Sequence, residues 1–236
     1  MTNGSRYSHI IWDWNGTLLD DAALCVEVMN SVLAARGLPL LTLERYGELL
    51  DFPIVNYYAR LGFDFAAEPF EIPATQFIDE YYRRWSECSL AEGAVQALRA
   101  FSELRCVQSI LSAAPKVILG RALQYYGIGD YFTAVSGLAD HYARGKVENG
   151  RRLVAESGID PRRILLIGDT LHDLEAAKAM GVECALVPGG HCGKPRLMAS
   201  GGLVLPDLAA VVRFAASQDN EVRAASNGVF NLSARK

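Results

Sequence analysis

After Gly93 the chain settles into an alternation that few folds can accommodate, with short apolar runs each joined to the next by a helix-length segment. The runs are CVQSIL at 106–111, a stretch near 132–136, RILLI at 163–167 and VECALV at 182–187. They have the length and apolar content of buried strands, while 94–104, 116–126, 146–157 and about 171–180 carry helical periodicity. Strands separated by helices cannot close as hairpins; they pair in parallel through crossover helices, as βαβ units. Residues 8–14 (HIIWDWN) add one more buried strand near the start. The expected class is therefore α/β, a Rossmann-like and mostly parallel sheet.

Between 18 and 90 the pattern differs. Leu24, Val28 and Val32 share one face of a helix over 20–36 that Gly37 stops, and further helices are expected at 42–50, 54–61 and 73–87. No convincing strand falls in this region. It reads as a helical insert placed directly after the first strand, giving a core of 1–17 and 91–216 and an insert of 18–90. The polar, weakly patterned tail 217–236 is expected to be loosely held. A length of 236 residues suits one domain with a sizeable insert.

Composition narrows the partners. The formal net charge is -4, so no general positive field invites nucleic acid, and an anionic ligand must be gripped by local groups. Five cysteines, an odd number with no CxxC spacing, read as reduced packing residues of a cytoplasmic protein rather than a disulfide frame or zinc site. The N-terminal MTNGSRYSHI lacks the apolar core of a signal peptide, and no window approaches the roughly 18 apolar residues of a membrane span.

In an open parallel sheet, ligands bind beyond the carboxyl ends of the strands. The residues there are Asp13 and the turn Trp14-Asn15-Gly16-Thr17, then Ser112, then Gly168-Asp169-Thr170 with Asp173 one helical turn further on; Lys146 opens a helix beside them. Singly, each has a plain structural explanation as a cap, a dipole partner or a solvated lysine. Their coincidence at successive strand ends is what carries weight. A carboxylate is a weak nucleophile that a phosphate dianion repels, and Mg²⁺, an oxygen-seeking cation, removes that repulsion. Asp13, Asp169 and a main-chain carbonyl of the 13–17 loop can ligate Mg²⁺, and Asp173 can orient a metal-bound water. Lys146, Ser112 and the turn amides can hold phosphoryl oxygens, leaving Asp13 for covalent catalysis. No GxGxxG follows a strand, so a dinucleotide site is not expected.

Four segments, IIWDWNGTLLDD (10–21), ILSAAP (110–115), RGK ending at Lys146 and LLIGDTLHDLEAAKAMG (165–181), resemble the haloacid dehalogenase superfamily. The branch they resemble is the phosphoglycolate-phosphatase-like one, over about residues 8 to 215. The resemblance implies a core of that type with 18–90 as a helical cap, DFPIVNYYARLGFDF (51–65) being similar to a cap segment. It implies an Mg²⁺-dependent hydrolase of a small-metabolite phosphate monoester, acting as a monomer or homodimer. By resemblance Asp13 is the nucleophile, and the Asn15 carbonyl and Asp169 join it on the metal. Ser112 and Lys146 bind phosphate, and Asp173 supports the metal shell.

Asn15 departs from the family pattern. Phosphatases of the superfamily usually carry there an Asp that protonates the leaving oxygen and later activates water; an amide can do neither, and such help is worth about 10²–10⁴ in rate. Three accounts are open: another group substitutes, with His172, near the site in sequence, as the candidate; the substrate has a good leaving group; or the chain is a weak phosphatase, a phosphate-binding regulator or a phosphotransferase. On any of them Asn15→Asp is the substitution that would restore the usual motif. A milder departure is Ala113, where an Asn is frequent. In the expected cap, Arg60 is a candidate for a substrate carboxylate.

Overall fold

A computed structural model describes residues 5–138 and 145–217. The elements in chain order are β1 (His9–Trp12), β2 (Leu19–Asp20), α1 (Ala22–Ala34), α2 (Leu43–Leu49), α3 (Ile54–Arg60), α4 (Glu71–Arg84) and β3 (Ser89–Leu90). There follow α5 (Ala94–Glu103), β4 (Val107–Pro115), α6 (Lys116–Tyr126), β5 (Ala134–Leu138), α7 (Lys146–Ser157) and β6 (Ile164–Gly168). The last are α8 (Leu171–Met180), β7 (Glu183–Leu186), α9 (Lys194–Ala199), β8 (Leu203–Val204) and α10 (Leu208–Ala216). Six strands form one parallel sheet in the order β5-β4-β1-β6-β7-β8. The α/β class read from the sequence is the class observed.

The sheet is covered on both faces, and the period of two along each strand divides its side chains between them. Ile10, Trp12, Ile110, Leu165 and Ile167 enter one apolar cluster with Phe101, Leu119 and Phe214. Ile11, Leu111, Leu166 and Leu186 enter the other, against Leu153, Ala177 and Met180 of α7 and α8. Each fully buried large apolar side chain is worth about 1.5–3 kcal/mol, which is why these runs are uninterrupted by charge. Helices α1–α4 pack a third cluster of their own around Val28, Met29, Leu33, Tyr57 and Tyr58.

Two expectations need correction. Strands do occur between 18 and 90: β2 and β3 pair antiparallel, Leu19 with Leu90 and Asp20 with Ser89, so a two-stranded ribbon ties the two ends of the helical block together. Two-residue strands leave no periodicity, and their pairing spans the whole block, so no local signal exists. The strand expected at 106–111 runs on through Pro115, because a register shift lets Pro115 pair with Leu138 of β5. Ser112 therefore lies within β4, not after it. The segment α9-β8-α10 extends the reading past 187, with β8 pairing β7 and Asp207 capping α10. Arg144 of the RGK segment and all of the tail beyond Ser217 lie outside the described residues.

Candidate functional site

β1 sits between β4 and β6, where the chain order on the two sides of the sheet diverges and a crevice opens at the carboxyl edge. Asp13 leaves β1 there, its amide donating to the Ile167 carbonyl of β6 at 2.9 Å. Lys146, the first residue of α7, reaches in: Nζ donates to Asp13 Oδ1 at 2.7 Å and to Asp173 Oδ1 at 2.6 Å. Asp173 is fixed by the start of α8, a capping box in which its Oδ2 accepts from the Thr170 amide at 3.0 Å and from the Thr170 hydroxyl at 2.5 Å. Asp169 accepts from Thr17 Oγ1 at 2.9 Å and from the His191 amide at 2.6 Å. Oxygens of Asp13, Asp169 and Asp173 lie within 4.8 Å of one another, all buried. No hydrogen bond to Asp13 Oδ2 is found among the described residues.

With all three ionised, the buried carboxylates against one ammonium would leave two negative charges uncompensated. Burial, with Asp173 and Asp169 nearby, pushes Asp13 up to about 7 despite Lys146. Burial also raises Asp169 to about 6, the His191 charge offsetting part of it and Asp173 adding to it. Asp173 goes the other way: burial opposes its charge, but Lys146 and the Thr170 bonds outweigh it and hold the carboxyl below its ordinary value. Lys146 stays protonated because Asp13 and Asp173 together outweigh its burial. An all-oxygen donor set that, when ionised, lacks two positive charges fits a hard divalent cation such as Mg²⁺.

The Asn15 side chain bonds outside this group. Its Nδ2 donates to Asp21 Oδ2 and to the Tyr81 hydroxyl, both at 2.7 Å, and Tyr81 in turn donates to Asp21 Oδ2 at 2.6 Å. Asp21 is wholly buried at the N-terminus of α1. Its Oδ1 accepts from the Gly16 amide at 2.8 Å and faces His191 Nε2 at 3.2 Å. The other ring nitrogen of His191 meets the Tyr46 hydroxyl of α2 at 2.8 Å. Burial opposes charge on both members of the Asp21–His191 pair, but mutual attraction outweighs it, lowering Asp21 and raising His191 to about 9. Gly16 makes the crossing of these loops feasible: its φ is +73°, and a side chain there would drive into Asp169 and the His191 ring.

The remaining candidates divide. Ser112 is buried two residues past Ile110, the register partner of Trp12, and its Oγ accepts from the Ala114 amide at 3.0 Å. His172 is not turned to solvent. Its ring stacks on Phe52 with centroids 4.6 Å apart, and its buried Nε2 has no hydrogen-bond partner. Burial and then the Lys146 charge lower its pKa, which disfavours the charged form that could give up a proton. Arg60 is occupied by Asp51 at 2.9 Å and by the Leu49 carbonyl, on an exposed face. The sequence reading gave no role to Asp21, Tyr46, Tyr81, Thr17 or His191. Thr17 lies in the turn it named, Asp21 closes the first motif segment, and His191 had the signal of a Gly-Gly-His turn beyond the carboxyl end of another strand.

The fold is a parallel α/β sheet with a cluster of buried carboxylates and a lysine at the carboxyl edge of its central strands. A family model described as haloacid dehalogenase-like hydrolase matches residues 10–187, and the chain belongs to that family. It is 28% identical to a phosphoglycolate phosphatase of Agrobacterium fabrum over 224 residues, covering 89% of this chain and 93% of that one. It is 27% identical to an N-acetylmuramic acid 6-phosphate phosphatase of Pseudomonas aeruginosa over 190 residues, 79% of this chain and 84% of the relative. A solved haloacid dehalogenase-like hydrolase from Streptococcus pneumoniae superposes with a TM-score of 0.74 at 16% identity, over 91% of this chain and 99% of the other, a likeness of fold alone.

Proposed function

We propose that the chain is an Mg²⁺-dependent phosphatase of small phosphorylated metabolites, acting through an aspartyl-phosphate at Asp13. The observation that carries this reading is Asp13 itself: buried, with Oδ1 held by Lys146, Oδ2 without a partner among the described residues, and two uncompensated negative charges around it when the cluster is ionised. The relatives named as phosphatases of phosphoglycolate and of N-acetylmuramic acid 6-phosphate support the substrate class.

Asp13, Asp169 and the Asn15 carbonyl would hold the ion, with Asp173 behind them, and when bound it supplies charge neutralisation for phosphate and carboxylate together. Asp13 Oδ2 attacks phosphorus, and the ester P–O bond breaks with its electron pair leaving on the alcohol oxygen. Lys146, with Ser112 in the neighbouring strand, holds phosphoryl oxygens. Water then attacks phosphorus, releasing phosphate and regenerating the Asp13 carboxylate. Helices α1–α4 act as a cap over residues 18–90 and exclude bulk solvent during the first step. The Asn15 side chain gives no proton to the leaving oxygen, so esters with good leaving groups are the better substrates. No helix among the described residues is long and apolar enough to cross a membrane, and five free thiols fit a reducing compartment.

The test is hydrolysis of p-nitrophenyl phosphate and of phosphoglycolate by the Mg²⁺-loaded protein, its Asp13→Asn variant and the EDTA-treated protein. Cleavage lost in Asp13→Asn, and lost reversibly with EDTA, supports the reading; full activity in Asp13→Asn overturns it. A second reading, phosphoryl transfer to another acceptor or regulatory phosphate binding, is favoured by the occupied Asn15 amide. It takes over if Mg²⁺ binds and neither ester is cleaved.

A further inference from the structure

From the hydrogen bonding around residue 15 we infer that Asn15 is a positioning residue matched to the buried carboxylate of Asp21, and that an aspartate at 15 is incompatible with this molecule. The Asn15 Nδ2 group donates to both Asp21 Oδ2 and the Tyr81 hydroxyl, each at 2.7 Å. The Tyr81 hydrogen is itself committed to Asp21 Oδ2 at 2.6 Å, so its oxygen can only accept from Asn15. A carboxylate at 15 has no hydrogen for either partner. It would set an oxygen against the Asp21 carboxylate at hydrogen-bond distance, in a place where Asp21 is wholly buried and Asn15 half-buried. Two ionised carboxylates in such contact repel strongly.

Asp21 does not stand in for the absent acid. Gly16 N and His191 Nε2 occupy one of its oxygens, Asn15 and Tyr81 the other, with Cys25 Sγ at 3.9 Å. It is an anionic hub. Through it the loop that carries Asp13 is tied to α1, to Tyr81 of α4 and, by way of His191, to Tyr46 of α2. The carboxylate has in effect moved from position 15 to position 21, and the amide at 15 is what that move demands.

Exchanging the two residues keeps the donor–acceptor pattern among positions 15 and 21, Tyr81, Gly16 and His191, while the Asp21–His191 charge pair becomes a hydrogen bond to a neutral carbonyl. In the double variant Asn15→Asp/Asp21→Asn, the amide at 21 can donate to the carboxylate at 15, and its carbonyl can accept from Gly16 N and His191 Nε2. Tyr81 can turn its hydrogen toward 15.

This inference rests on the Asp13 reading of the site, and its experiment separates the two. Thermal denaturation and p-nitrophenyl phosphate turnover are measured with Mg²⁺ for the wild type, Asn15→Asp, Asp21→Asn and the double variant, with Asn15→Ala as a donor-free, charge-free control. Asn15→Asp is expected to lose about tenfold or more in turnover and to melt lower than Asn15→Ala, reflecting lost charge-assisted bonds plus repulsion. The double variant is expected to recover most of both. Turnover in Asn15→Asp equal to or above the wild type overturns the inference, as does a double variant no better than the two single effects combined. The melting data read the pairing whether or not Asp13 proves to be the nucleophile, which Asp13→Asn decides separately.

Discussion

Lys146 illustrates how a side chain that looks like a solvated surface lysine in sequence becomes structural charge. It is buried between Asp13 and Asp173, and removing it strands both carboxylates. Lys146→Met is expected to lower stability by about 3–5 kcal/mol, the usual cost of leaving a buried charge without its partner, and to remove turnover. Urea unfolding at neutral pH measures the first; an unchanged midpoint would show that the cluster is not charged as described. Thr17→Val is a milder change, taking one donor from the Asp169 carboxylate, and about 1.5–3 kcal/mol is expected. The strand-end residues were legible in sequence because topology alone brings carboxyl edges together. Asp21, Tyr46 and Tyr81 were not, because their meeting depends on how helices distant in sequence dock against one loop.

At the scale of elements, α8 combines a fold device with a site device. Thr170 and Asp173 cap the helix reciprocally, and the same Asp173 holds Lys146. Thr170→Ala is expected to cost about 1 kcal/mol of stability as a lost cap, and to reduce turnover by loosening Asp173. A fall in melting temperature with no change in kcat would separate the cap from the site. The parallel strands and their helices were readable because each carries its own period, and β1, β6 and β7 fall where the apolar runs lie. The β2–β3 ribbon was unreadable, since two residues have no period and their partners lie at opposite ends of the helical block. Ser112 reads as the residue just past the strand 106–111 because the sequence around it, SAAP, loses the branched apolar character of that run; the strand continues because Leu111 and Pro115 on either side of it both pair with β5.

For the whole molecule the balance of charge at the crevice sets the response to pH and metal. Asp13 and Asp169 have pKa values raised to about 7 and 6, so in the metal-free protein their contribution to stability is present at low pH. It is lost as pH rises from the ordinary carboxylate range through 6 and 7. Asp173 and Asp21 have lowered values and act oppositely, stabilising above the ordinary carboxylate range and losing that contribution on acidification. On the proposed reading, a divalent cation held by Asp13 and Asp169 would compete with the protons on them. Mg²⁺ is therefore expected to raise the melting temperature, and to do so more at pH 8 than at pH 6; equal shifts at the two pH values would count against these carboxylates as ligands. The measurement that bears most directly on the central claim is the chemical state of Asp13 during turnover. Protein turning over p-nitrophenyl phosphate with Mg²⁺ is quenched in acid and its peptides are mapped by mass. A phosphoryl group on the peptide containing Asp13, absent in Asp13→Asn, is the expected result. Sustained turnover with no phosphoryl group on that peptide, and undiminished in Asp13→Asn, would contradict it.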